Sequence, residues 1–111
     1  MAYDPDLADR IRGVLAGEPA VVEKAMFGGL AFLAGGNMAV AASGHGGLLV
    51  RVDPAETEDL LASPGVRIFE MRGRSMRGWL RVDDAEVGTP DELAAWVGRG
   101  LAFARSLPAK A

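Results

Sequence analysis

The chain reads as a two-layer α+β domain in which helices pack on an antiparallel sheet of about five strands, in the order α-β-β-β-α-β-β-α. Three observations predict it. The pairs Asp4-Pro5, Asp53-Pro54 and Thr89-Pro90 each place a capping side chain before a proline at the start of a helical pattern. Short apolar runs lie between these starts, separated by glycine-rich turns. With 111 residues, half of them apolar, the chain fits one core and one domain over residues 1–111.

The first helix, about residues 5–16, sets Leu7, Ile11, Val14 and Leu15 at helical spacing, with charged residues opposite and Gly17 and Pro19 as its stop. An antiparallel meander follows, with strands at about 25–34, 37–43 and 47–52 separated by Gly35-Gly36-Asn37 and Gly44-His45-Gly46-Gly47. Met26, Phe27, Phe32 and Met38 read as core, and Leu48, Val50 and Val52 alternate against Leu49, Arg51 and Asp53. Gly28-Gly29 reads as a kink in one long strand, with a two-residue hairpin and a further strand as the alternative. Asp53 and Glu56 form a capping box for a short helix at about 54–62, ended by Ser63-Pro64-Gly65.

Val66, Ile68 and Phe69 then begin one strand and Trp79, Leu80 and Val82 another, joined by a link over residues 71–78. Thr89 and Glu92 form a second capping box, and the longest helix, about 90–107, carries Leu93, Trp96, Val97, Leu101, Ala104 and Leu107 up to Pro108. Gly98 and Gly100 each cost about 1 kcal/mol relative to alanine inside a helix. Their presence predicts close backbone packing or a bend.

Composition removes several classes of chemistry. Cysteine is absent, so disulfides, thiolate nucleophiles and cysteine-ligated clusters are excluded. The longest uncharged stretch, residues 25–50, is broken by ten glycine, asparagine, serine or histidine residues, which no membrane helix would carry. The N-terminus has acidic residues where a secretory signal needs basic ones, so a cytoplasmic protein with no membrane partner is expected. A net charge of −3 opposes coating of nucleic acid, yet five of the ten arginines lie between Arg67 and Arg81 against Glu70 alone.

Five pieces carry a family resemblance: Lys24-Ala25-Met26-Phe27-Gly28-Gly29-Leu30, Gly36-Asn37-Met38-Ala39, Leu49-Val50-Arg51-Val52, Met76-Arg77-Gly78-Trp79, and the helix over residues 96–108. In this order they resemble the TfoX N-terminal domain family, over roughly residues 5–108. The resemblance implies a two-layer α+β fold similar to that of secretion chaperones. It also implies a link to transcriptional regulation of competence for DNA uptake, in members that carry a second, helical C-terminal domain. This chain is expected to end before such a domain, so activity that depends on it does not transfer.

No set of side chains predicts catalysis, a cofactor or a metal. His45 is the single histidine and sits among glycines, and Ser43 beside it lacks a nucleophile elbow. Asp83, Asp84 and Glu86 lack the spacing of a calcium loop. The candidate surface is instead the arginine-bearing hairpin, with Arg72, Arg74 and Arg77 as bidentate donors and Met71, Met76 and Trp79 as apolar contacts. Its alternative is a solvated hairpin whose arginines pair with Glu70, Asp83 or Asp84. Lys24 and Arg51 form a lesser candidate, an anion-accepting rim near Gly28-Gly29, with strand-edge protection as the alternative. The expectation is a non-catalytic regulatory or protein-interaction domain with a protein partner, in which a homodimer is one possibility. A nucleic-acid-binding accessory role and a small-molecule-binding domain are the alternatives.

Overall fold

A computed structural model of the chain describes residues 3–26 and 28–109. Helix α1 (Pro5–Leu15) leads into four strands, β1 (Val21–Met26), β2 (Gly29–Ala34), β3 (Asn37–Ala42) and β4 (Leu48–Arg51). A 3-10 turn at Pro54–Glu56 runs into the short helix α2 (Thr57–Leu61). Strands β5 (Val66–Met71) and β6 (Arg74–Val82) follow, then a 3-10 turn at Asp84–Val87 and helix α3 (Pro90–Ser106). The strands form one sheet in the order β1-β2-β3-β4-β6-β5, and every neighbouring pair is antiparallel. The α+β class stands as the sequence predicts, with one strand more.

The extra strand comes from the double glycine. Met26 pairs with Gly29, so the chain reverses between them in a hairpin; the kink favoured by the sequence gives way to the hairpin alternative, with Gly29 already paired in β2 and outside the turn. A Cβ on Gly29 would lie 2.1 Å from the carbonyl oxygen of Ala42, and one on Gly44 would lie 2.1 Å from that of Gly28. These glycines let the β1–β2 turn sit directly on the loop after β3. The sequence places the start of this region four residues late because β1 is an edge strand, largely exposed, with Val21-Val22-Glu23-Lys24 showing no alternation to read. Phe27, expected in the core, lies outside the described residues.

The predicted eight-residue link contracts in the same way. β5 continues to Met71 and β6 begins at Arg74, leaving Arg72 (φ 54) and Gly73 (φ 77) as a two-residue turn. Two successive positive φ values match the twist of the flanking strands. Further along β6, Ile68 faces Leu80 while Phe69 faces Met76, so residues 77–79 bulge out of register. The Gly78 N–H in this bulge donates to Oγ1 of the buried Thr57 at 3.0 Å, which ties α2 to the sheet.

Register separates the two faces. The row Glu23–Phe32–Val40–Val50–Leu80–Ile68 crosses the whole sheet and points its apolar members at the helices. There they meet Leu7, Ile11 and Leu15 of α1 and Leu93, Val97 and Leu101 of α3, the stripes that periodicity predicts. Capping follows the sequence closely, since Thr89 and Glu92 form the reciprocal capping box at α3. Asp53 caps through its side chain to the Ala55 N–H and not to that of Glu56, so the capping box expected there is not formed; the segment starts as a 3-10 turn in place of the first turn of an α-helix. At the far end of α3, the Asn37 side-chain amide donates to the Pro108 carbonyl at 3.0 Å and pins the chain leaving the helix to the start of β3.

Candidate functional site

The opposite face of the sheet carries no helix among the described residues. Its central row runs Lys24–Ala31–Ala41–Leu49–Arg81–Arg67 from one edge to the other. Ala31, Met38, Ala41 and Leu49 form a second buried cluster on this side, and Met26, Leu33, Phe69 and Trp79 pack partly buried around it. Small side chains in the middle and larger ones at the flanks make the surface concave. Toward the loop of residues 43–47 it deepens into a concavity of about 420 Å³ that is open on one side. Met26, Leu49, Phe69 and Met71 supply its apolar lining, and His45, Glu70, Arg72 and Arg81 its polar lining.

Charge is divided between the layers. Of the charged residues in the six strands, six are basic (Lys24, Arg51, Arg67, Arg74, Arg77 and Arg81) and two acidic (Glu23 and Glu70). Glu23 lies on the helical side, where Arg12 of α1 binds it through two nitrogens at 2.7 and 2.9 Å and also reaches Asp9 at 2.6 Å. That hydrogen-bonded pairing holds the Glu23 carboxyl below its ordinary range and the Arg12 guanidinium above its own. The remaining acids lie in the helices, the 3-10 turns and the loops at their ends.

The candidate residues named from sequence fall into three groups. Arg72 and Arg74 stand exposed at the tip of the β5–β6 hairpin, and neither enters an ion pair among the described residues. Arg77 points elsewhere: it donates to the Pro54 carbonyl at 3.1 Å and pairs with Glu58 at 2.9 Å, bracing α2. Trp79 and Arg51 pair across β6 and β4, where the Arg51 guanidinium lies 4.9 Å from the Trp79 ring centroid and 5.5 Å from that of Phe103 on α3. Lys24 sits exposed on the edge strand, with β2 and β3 between it and β4, so Lys24 and Arg51 do not share a rim.

Three further side chains belong to this face and were not singled out from sequence. Arg81 and Phe69 project beside Leu49 and Trp79, and Arg67 lies beside Arg81 while pairing with Asp83 at 2.8 Å. A signal exists in the alternation Leu49/Arg51, Arg67/Phe69 and Trp79/Arg81, one apolar and one cationic residue at strand spacing in three strands. Only the register shows that all three pairs share a side. Near the concavity, Ser43 accepts the backbone N–H of His45 at 3.1 Å, so its hydroxyl shapes the loop. Asp83, Asp84 and Glu86 lie at the 3-10 turn before α3.

A sheet covered by helices on one side and left with a basic, apolar hollow on the other defines a small one-sided α+β domain. The chain belongs to the TfoX N-terminal domain family, whose profile matches residues 14–104. No curated protein matches the chain. Among the described residues, no helix is long and apolar enough to cross a membrane.

Proposed function

We propose that this protein is a non-catalytic regulatory domain that binds another protein through the helix-free face of its sheet. The carrying observation is the central row, in which alanines and a leucine are flanked by Lys24, Arg81 and Arg67. An apolar patch with a cationic border favours a partner segment that is apolar with acidic flanks, because opposite charges align the encounter and exclude wrong registers. The same charges argue against a second copy on this face, since two such faces brought together would oppose arginine with arginine. Arg51, held between Trp79 and Phe103, closes the end of β4, and Arg72 lines the concavity beside Arg81.

The test is affinity capture from the protein's own cells, with and without nuclease. The reading expects a discrete, nuclease-resistant partner that is lost on Lys24→Glu with Arg81→Glu and kept on Arg99→Glu, which changes exposed charge on α3. Retention by the doubly reversed variant would remove the face from the account. Capture that disappears with nuclease would instead point to phosphate contacts by Arg72 and Arg74.

A further inference from the structure

The concavity at the loop end of the face differs in character from the broad row beside it. Four flexible or aromatic side chains from three strands converge there, Met26 from β1, Leu49 from β4, and Phe69 and Met71 from β5. Its about 420 Å³ falls within the range of small-ligand pockets, roughly 300 to 1,000 Å³. The Ala41 side chain is a single methyl group beside Leu49, and this small residue leaves the hollow deep. Methionines suit such a wall because a thioether adapts to the outline of an apolar guest.

The polar lining decides what kind of guest. Arg72 and Arg81 bring two positive charges and Glu70 one negative, so with His45 counted neutral the lining carries a net charge of one. Neither arginine is neutralised by an ion pair among the described residues. Guanidinium groups bind carboxylates through paired N–H donors, whereas the Glu70 carboxylate opposes a dianion such as phosphate. We infer that this concavity is a binding site for a small apolar carboxylate, with its hydrocarbon part against Met26, Leu49, Phe69 and Met71 and its carboxylate on Arg81 and Arg72. Such a ligand occupies one end of the proposed partner face and so regulates its use.

The probe is octanoate, titrated into the ¹⁵N-labelled protein and followed by backbone amide shifts, with 1-octanol as the uncharged counterpart. Saturable shifts confined to β1, the loop of residues 43–47 and the β5–β6 hairpin are expected. Octanol should bind about tenfold more weakly, and Arg81→Gln should weaken octanoate about tenfold, the scale of one charge-assisted hydrogen bond. Arg72→Asn offers a second arm that keeps the turn, because asparagine accepts positive φ. No saturation at about 10 mM, a ceiling set by the weak end of the affinity scale, shifts spread over the whole surface, equal affinity for octanol, or unchanged octanoate affinity in both folded variants would each overturn the inference. The titration involves no protein partner, so its result and that of the capture experiment stand apart.

Discussion

Replacing Gly100 by alanine would place a methyl carbon 2.4 Å from the Ala39 carbonyl oxygen and 3.0 Å from Cγ1 of Val40. The first neighbour is backbone, so no side-chain rotation relieves the contact. Alanine gains about 1 kcal/mol over glycine in helix propensity. Forcing α3 away from β3 costs about 1 to 3 kcal/mol, as overpacking a close-packed interior does. Because α3 spans the whole helical core, the upper part of that range is expected, for a net loss of about 1 to 2 kcal/mol. Gly98, two residues earlier, lies on the exposed side of the same helix, and a methyl group placed there would meet nothing within 4 Å. There the propensity gain stands alone, about 1 kcal/mol in the stabilising direction. At about 2.1 cal/mol/K per residue, the 111-residue chain has an unfolding entropy of about 0.23 kcal/mol/K, so 1 kcal/mol moves Tm by about 4 °C. Calorimetry should find Gly100→Ala about 4 to 9 °C below wild type and Gly98→Ala about 4 °C above it. A Gly100→Ala protein at or above the wild-type Tm would refute the close approach of α3 to β3.

Three further perturbations address the fold around the face. Thr57→Val keeps the side-chain shape but leaves the buried Gly78 N–H without its acceptor, and urea unfolding should show a loss of about 1 to 3 kcal/mol. Glu23→Gln should cost less than about 1 kcal/mol near neutral pH, since the pair with Arg12 is solvent-exposed. The Glu23 carboxyl is lowered in the folded state, so its contribution is full above the unfolded value of about 4.3 and fades as pH falls through the folded one; the wild-type advantage should therefore close below about pH 4. A gap that instead widens on acidification would contradict the pairing. Arg51→Met removes the guanidinium between two rings and should lower stability by about 1 kcal/mol, read by urea unfolding.

Helices were the most legible part of the chain because their ends are written locally, by a cap and a proline and, at two of the three, an acid three residues after the cap. Asp4 and Thr89 accept from backbone N–H groups as their spacing predicts, whereas Asp53 accepts from the Ala55 N–H and not from that of Glu56, as a capping box would require. The strands were less legible where the information is not local. β1 has one neighbour and exposes residues 22–25, so Val22 to Ala25 carry no period-2 signature. The Arg72-Gly73 turn lacks the asparagine or aspartate that marks such hairpins, which is why β5 and β6 read as shorter than they are. Of the two helix glycines, Gly100 meets the strand and Gly98 does not, and only the rotation of α3 about its axis separates them.

The candidate site was legible in its charge and not in its shape. The excess of arginine after Arg67 is visible in the sequence, but its division is a matter of register: Arg77 braces α2, Arg72 and Arg74 occupy a tip, and Arg81 joins a row with Leu49 and Ala41. A bulge of three residues, 77–79, makes that division, and nothing in a single strand announces it beyond Gly78.

The central claim is that the helix-free face is the binding surface, and site-specific photo-crosslinking in living cells tests it most directly. A photoreactive residue at position 33, on the face, and one at position 95, exposed on α3, should behave differently. The account predicts one discrete protein adduct from position 33 and none from position 95. Adducts from position 95 alone, or the same pattern from both positions, would contradict it.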